Sequence, residues 1–531
     1  MKQLLLFLMM LLPLTASADA VEIDGLYYNL VSKTKTAKVA RNPNNYQGDI
    51  SIPNNVTYEG TTYQVNTIGE NAFYYCVQLT SVQIPSSINT IEAYAFDGCH
   101  LTSIAIPSSV NLIKSDAFAN CSHLESVYIE NLSSWLNIDF EGNFGRTNPL
   151  YYAKHLFLNG NEIKNLVIPN GVSAIKQYAF CNCEGIETIS FSEGVETIGQ
   201  LAFSGCAGLK SITFSNTITQ IENEAFAHCA KLKHVDFPSS VTSIGVRCFQ
   251  QCEKLETIVI RNDYSTKIDY NAFSNCAELT DVICYNTITP GTDGIFPPAT
   301  VVFESSMVES ATLHVPAGSI DCYTSPAPWK DFGNIVEITY DDVEIGDLGI
   351  GTFCGTNPMD FYGIDDIKAY TVSSYESASG QVTLSRVHYV PANTGIVVRG
   401  NKGTYSLPFG VGESITSNLL KGVTTNTVLD KVNGDYTNYV LANKGSNLGF
   451  YAVTDGSTLG AGKAYLPLPT ADLPSAAREF VLVFDDGETT KIKSIASQEE
   501  APKGCYDLQG RRVANPTTGL YIVNGKKVII K

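Results

Sequence analysis

The chain is poor in charge: only 17% of its 531 residues are Asp, Glu, Lys or Arg. What charge there is leans acidic, with 35 basic against 53 acidic residues and a formal net of −18. That balance excludes nucleic-acid binding as a main role, because such binding needs a basic face to displace counterions. Past the N-terminus no apolar run is long enough to cross a bilayer. Catalytic signatures are also missing. There is no H-E-x-x-H, no G-x-S-x-G and no His pair at metal-ligand spacing. Gly460-Ala-Gly462-Lys463-Ala464 has Ala where a phosphate loop needs Ser or Thr for magnesium, and it lies among strands. Gly349-Ile-Gly351-Thr-Phe-Cys-Gly355 lacks dinucleotide spacing. No acid pair stands out as a glycosidase dyad. The expectation is a protein that is not an enzyme, with no catalytic residues, cofactor or metal.

What the chain does have is a repeat. The unit A-F-x-x-C-x-x-L is clearest at Ala72-Phe73-x-x-Cys76-x-x-Leu79 and Ala202-Phe203-x-x-Cys206-x-x-Leu209. The repeat phenylalanines are Phe73, Phe96, Phe118, Phe180, Phe203, Phe226, Phe249 and Phe273, separated by 23, 22, 62, 23, 23, 23 and 24 residues. A fixed period in the twenties is the mark of a solenoid. Leu209 to Phe214 alternates with a period of two, as a strand does. Pro follows several such strands, as at Ile84-Pro85 and Ile106-Pro107, and turns the chain. Ile-x-x-x-Ala-Phe-x-x-Cys-x-x-Leu has apolar residues three and four apart, which predicts a short helical or 3₁₀ arc behind the strand. One coil cannot bury its Phe alone; stacking does so, each burial contributing about 1.5–3 kcal/mol.

Eight of the fourteen cysteines hold one repeat position: Cys76, Cys99, Cys121, Cys183, Cys206, Cys229, Cys252 and Cys276. In an exported chain cysteines suggest disulfides. Spaced one per coil, these read instead as a reduced packing column inside the solenoid. Export is expected because Lys2, the apolar Leu4 to Leu12 and the small-x-small triplet Ala16-Ser17-Ala18 form a secretory signal over residues 1–18.

The rest divides as follows. Residues 19–66 read as a β cap and 67–338 as the solenoid, with an insertion at 130–163 and a closing cap at 285–338. The insertion contains Leu132-Ser-Ser-Trp135 and the hairpin signal Asn159-Gly160. It is either a functional loop or a tolerated decoration. Short alternating runs from 339 to 493 suggest a β-sandwich. Residues 494–503 read as a polar linker and 504–531 as a small β tail.

The repeated I-x-x-x-A-F-x-x-C-x-x-L-x-x-I-x-I-P unit resembles the BspA-type leucine-rich repeats of bacterial surface proteins, over about residues 20–340. The resemblance implies a mainly β fold: a right-handed leucine-rich-repeat solenoid with short helical or 3₁₀ arcs, followed here by the β-sandwich and the tail. It also implies a cell-surface or secreted protein of adhesive role. Tyr506-Asp-Leu-Gln-Gly-Arg511-Arg512-Val513, with Gly519-Leu-Tyr521 and Lys526-Lys527-Val528, is similar to the C-terminal sorting domains of type IX secretion in Bacteroidetes. That implies the outer-membrane secretion machinery as a partner; the other reading is an ordinary terminal hairpin.

The repeat residues all point inward, so a partner must meet the residues between them. The expected contact face comprises Gln83, Tyr128, Ser190, Thr213, His234, Asp236 and Val259 on the strands, with Trp135 in the insertion. The function expected is an exported, non-enzymatic surface protein that contacts an extracellular protein or glycan through this face. The alternative is glycan capture by the β-sandwich through Tyr370, Tyr389, Tyr451 or Tyr465.

Overall fold

A computed structural model describes residues 20–142, 145–261, 266–290, 302–303, 308–364, 366–411, 415, 417–444, 447–473 and 479–486. It also describes the backbone of four short strands between 505 and 530. The expected signal at 1–18 and linker at 494–503 lie outside the described residues. The chain forms two compact units, Met1–Ile338 and Thr339–Lys531. Among the described residues no helix is long and apolar enough to cross a membrane.

The first unit is a stack of coils. Each regular coil gives one short strand to a parallel column, as in Thr188–Ser190, Ser211–Thr213, His234–Phe237 and Thr257–Ile260. The register is the one the repeat dictates: Ser190 lies opposite Thr213 and Asp236 opposite Val259. A second column of two-residue strands, such as Thr197–Ile198 and Gln220–Ile221, runs on the other side of the coil. Between the columns the repeat phenylalanines stack face to face. Centroids are 5.0 Å apart for Phe73–Phe96 and 5.2 Å for Phe203–Phe226, close to the spacing of neighbouring strands. All eight are buried. The N-terminal end is closed by the antiparallel strands Val21–Ile23 and Leu26–Val31. At the other end Trp329 and Phe332 pack edge-on against Phe303, which continues the stack from Phe273.

The arcs are not helical, which corrects the expectation. In the first, Ala72 N–H, Tyr74 N–H and Cys76 N–H bond within the coil to Gly69, Asn71 and Phe73 carbonyls. Phe73 N–H and Tyr75 N–H instead donate to Ala95 and Asp97 of the next coil, both at 2.7 Å. The alternation arises because the residues two before and two after each Phe take left-handed backbone angles, as Asn71 (φ 57°) and Tyr75 (φ 54°) do. A helix would keep every N–H inside its own coil. These turns spend every second one on the neighbour, which offsets the steric cost of left-handed Tyr, Leu or Arg.

The second unit is built on strands running from Tyr340–Ile345 to Glu479–Phe484. Its organisation differs from two facing sheets. One ten-stranded sheet runs from Ile350–Phe353 through Ile367–Glu376 and Glu479–Phe484 to Lys421–Val423. Residues from its first strand, its middle and its penultimate strand share one core, including Ile350, Tyr370, Phe480 and Leu466. Cys354 N–H donates to the Gly462 carbonyl and Ala464 N–H to Thr352 Oγ1, so the sheet curls back on itself. A second core around Val343, Met359, Ile396 and Leu407 lies under the two-stranded pair Tyr340–Ile345 and Gly403–Pro408. The strands Cys505–Tyr506, Arg512–Val513, Gly519–Val523 and Lys526–Ile530 form an antiparallel sheet, Val523 facing Lys526.

Candidate binding surface

The outer row of the strand column is where the repeat leaves freedom. In register it reads Ala105, Tyr128 and Phe157 on one side of the insertion. On the other side it reads Val167, Ser190 and Thr213. Gln83, Ala105, Tyr128, Val167 and Thr213 are exposed, and Ser190 is half-buried. Ser51 Oγ donates to Gln83 Oε1, tying the cap strand Gly48–Ser51 to this row.

Four residues expected on the face do not lie there. His234 and Asp236 are 9% exposed and Val259 is fully buried. Both His234–Phe237 and Thr257–Ile260 are buried on their two faces, so the outer face is covered at this end of the column. Arg261, just beyond the second of these strands, turns back over it and donates Nε and Nη2 to the Asp236 carboxylate at 2.7 and 3.0 Å. The Tyr285 ring lies against its guanidinium. Burial pushes the His234 imidazole down to about 4, with Arg261 adding to the fall and Asp236 opposing it. Strand periodicity sees which face a residue is on, and cannot see what later covers that face.

Trp135 is the fourth. It sits on the one-turn helix Leu132–Leu136, is 1% exposed, and its Nε1–H donates to the Ala179 carbonyl at 3.0 Å. In regular coils the carbonyl before each Phe accepts from the preceding Phe N–H, as Ala202 does from Phe180. No regular coil precedes Phe180. Trp135 and Asn148 Nδ2 take over, the latter reaching both Tyr178 and Ala179 carbonyls at 2.8 and 3.1 Å. The insertion is thus an irregular coil that closes the gap in the column, with Leu136, Ile138, Phe140 and Leu150 buried in the same core.

Its strand Leu156–Leu158 joins the outer column and sets Phe157 on Tyr128, ring centroids 4.9 Å apart. Tyr128 is 39% exposed. Phe157 lies directly opposite Glu162 across the Asn159-Gly160 turn, so both project from one face. Glu162 Oε1 accepts from His155 Nδ1 at 2.6 Å. Beyond this pair opens a polar cleft of about 250 Å³. Gly185 and Gly208 line it, at the position where other coils carry Gln78, His123, Lys231, Lys254 and Glu278. A Cβ on Gly185 would stand 2.5 Å from Glu162 Oε1.

One wall of the cleft belongs to a charged row that the repeat motif does not reveal, and Lys164, Glu187 and Lys210 are its members in the lining. Lys164, Glu187, Lys210, Lys233 and Glu256 recur every 23 residues, just before the strand. Glu187 accepts from Lys210 Nζ at 2.5 Å, and Lys233 pairs with Glu256 at 2.7 Å. Lys210, with Lys164 and Lys231 farther off, holds the Glu187 carboxyl below its ordinary range. Lys154 pairs with Glu184 at 2.7 Å. Lys164 and Lys231 form no ion pair among the described residues. The exact charge period was the signal that could have found this row. Phe157 and Val167 escaped because the repeat is broken where they lie.

In the second unit Tyr370 is fully buried and Tyr451 is 5% exposed, so neither offers a face to sugar. Tyr389 and Tyr465 are half-buried. Among the described residues no group of three or more His, Cys, Asp or Glu is placed to hold a metal ion.

None of the curated proteins compared with the chain matches it. Solved structures do. A leucine-rich-repeat protein from Bacteroides ovatus is 26% identical, with a TM-score of 0.38 over 57% of this chain and 80% of that one. A leucine-rich cell surface protein from Faecalibacterium prausnitzii is 23% identical, with a TM-score of 0.30 over 50% of this chain and 95% of that one. The pneumococcal vaccine antigen PcpA is 17% identical, with a TM-score of 0.34 over 60% and 98%. Residues 48–143 and 152–291, the solenoid on either side of the centre of the insertion, match the family model of the BspA type leucine rich repeat region in six copies.

Proposed function

We propose that this is an exported, non-enzymatic surface protein that binds an extracellular partner through the outer face of its right-handed solenoid. The observation that supports this most is the division of labour along each coil. Every repeat-defining Phe and Cys is buried. The row between them stays accessible from Gln83 to Thr213 and carries the stacked Tyr128–Phe157 pair. An exposed Tyr128 stacked on a half-buried Phe157, on a weakly charged sheet, suits contact with a protein or a glycan rather than chemistry on a small molecule. The signal at residues 1–18 would send the chain out of the cytoplasm. The tail at 504–531, set off by the linker 494–503, would engage the secretion machinery of the outer membrane.

The test is capture of extracellular-matrix proteins and mucin by the immobilised full chain. Binding should exceed that of an unrelated solenoid and fall about ten-fold in a Tyr128→Glu, Phe157→Ser variant, a loss that matches removal of a central aromatic contact. No capture of any of these proteins would end the proposal.

A further inference from the structure

We infer that the cleft beside the insertion binds a carboxylated sugar ring, such as a terminal sialic or uronic acid on a glycan. The inference rests on the solenoid face being the binding surface, and it names what that face would hold.

Four features of the cleft point to this chemistry. Its carboxylates are already answered from within: Glu187 by Lys210, Glu184 by Lys154, Glu162 by His155. Lys164 and Lys231 line the same cleft, form no ion pair among the described residues and reach Glu187 only from farther off, so the group left unanswered is an anion. In a chain of net charge −18, no long-range field gathers anions; only short contacts to these ammoniums can hold one. Second, the carboxylate oxygens of Glu162 and Glu184 retain lone pairs that accept hydroxyl protons, since each carboxylate has several acceptor sites. An anion without hydroxyl groups, such as acetate, has no use for them; a polyhydroxylated one uses several.

Third, the floor is glycine where other coils place Gln, His, Lys or Glu. The space of about 250 Å³ is small for a drug-sized ligand and sized for a single ring. Fourth, the Phe157 ring projects from the same face as Glu162 and rests on exposed Tyr128. An aromatic face beside a polar cleft covers the C–H side of a sugar while its hydroxyls meet the polar wall. Acid, hydroxyls and an apolar ring face occur together in an acidic sugar.

The experiment is titration of the full chain with N-acetylneuraminic acid, glucuronic acid, glucose, acetate and inorganic phosphate, followed by calorimetry and saturation-transfer NMR. At least one acidic sugar should bind in the millimolar range, about ten-fold tighter than glucose, acetate or phosphate. Which of the two binds separates the sialic from the uronic source. Lys164→Ala and Lys231→Ala should each weaken it several-fold, and the pair should abolish it. Gly185→Ala, whose Cβ displaces Glu162, should weaken it as well, whereas Lys254→Ala outside the cleft should leave it unchanged. All these positions are at the surface or in the cleft, and an unaltered thermal midpoint would show that the fold survives.

Equal affinity for glucose, acetate or phosphate would overturn the inference. So would indifference to the two lysine substitutions, or no binding at all. Its failure is separable from failure of the adhesive reading. Glycoprotein capture that depends on Tyr128 but survives enzymatic removal of acidic sugars keeps the adhesive reading and sinks this one. Absence of capture sinks the adhesive reading itself.

Discussion

Phe203 meets three other phenylalanines: Phe180 and Phe226 face to face, and Phe191 edge-on. Beside this stack the cysteines do more than fill space. Cys206 Sγ donates to the Phe180 carbonyl, Cys229 to Phe203 and Cys252 to Phe226, so each thiol satisfies a carbonyl of the coil before it. Valine would fill the volume and remove that donor, leaving the Phe180 and Phe203 carbonyls to the Cys183 and Cys206 N–H of their own coils. Burial drives these thiols upward, Cys121 and Cys183 to about 12 and Cys206 well above its ordinary value. A thiol that does not ionise does not attack a disulfide reagent. All thirteen described cysteines are free, and Cys322 alone of them is exposed. In a Cys505→Ser background, Ellman's reagent should therefore titrate one thiol in the native protein and all thirteen in guanidinium. Several fast native thiols, or missing ones after denaturation, would contradict the reduced column. His234 makes a second residue-level prediction. Its folded value of about 4 lies below the ordinary 6.5 of histidine, so the unfolded chain binds the extra proton first. The stability it contributes is complete above about pH 6.5 and is lost as pH falls through about 4, up to about 3 kcal/mol at the low end. Urea midpoints measured from pH 7.5 down to 4.5 should fall, and His234→Gln should flatten that part of the slope. Asp236 and Arg261, in contact with each other beside it, remain in the variant and set the residual dependence.

At the scale of elements, the strands were legible because alternation and the trailing Pro are local signals. The arcs were misread for a definite reason. Ile, Ala-Phe, Cys and Leu at spacings of three and four turn inward in a helix and in this chain of tight turns alike. Only the sign of φ separates the two. Asn71, Asn120, Gly98 and Gly205 hinted at left-handed positions. Tyr75, Leu201 and Arg247 occupy the same positions and hide them. The exposed outer row was legible up to Thr213 for the same reason as the strands, and Trp135 was misplaced because the break in period conceals what the insertion replaces. The insertion also marks where the stack is weakest. The column of two-residue strands stops at Asp139–Phe140 and restarts at Ala174–Ile175. Across this break the contacts include the side chains of Trp135, Asn148, Lys176 and Gln177. Asn148→Leu removes two donors from buried carbonyls and should cost about 1–3 kcal/mol for each group left unsatisfied. Combined with Trp135→Phe, it should let the two halves exchange backbone hydrogens at different rates in a hydrogen-exchange measurement. Uniform protection on both sides in the double variant would show that the break carries no weakness.

For the molecule as a whole, the question is what unfolds together. Coils touch only their neighbours, yet one continuous core runs from Leu26 to Phe332 and draws on every coil, so the solenoid should behave as a single cooperative block. Both of its ends are closed, by Val21–Ile23 with Leu26–Val31 at one and by Trp329 with Phe332 at the other. Among the described residues, the cores of the second unit draw on residues from Val343 to Phe484. Two sets of buried side chains with no shared member predict two independent transitions in calorimetry. Residues 20–338 expressed alone should fold and melt within a few degrees of one of them. Substitutions give the sharper form of the test. Phe226→Ala empties the centre of the stack and should cost about 3–5 kcal/mol. It should lower one transition by several degrees and leave the other in place. Phe480→Ala, in the core of the curled sheet, should do the reverse. A single transition that moves with either substitution would mean that the two units share their stability, and that the solenoid cannot be treated as a self-sufficient carrier of the proposed binding face.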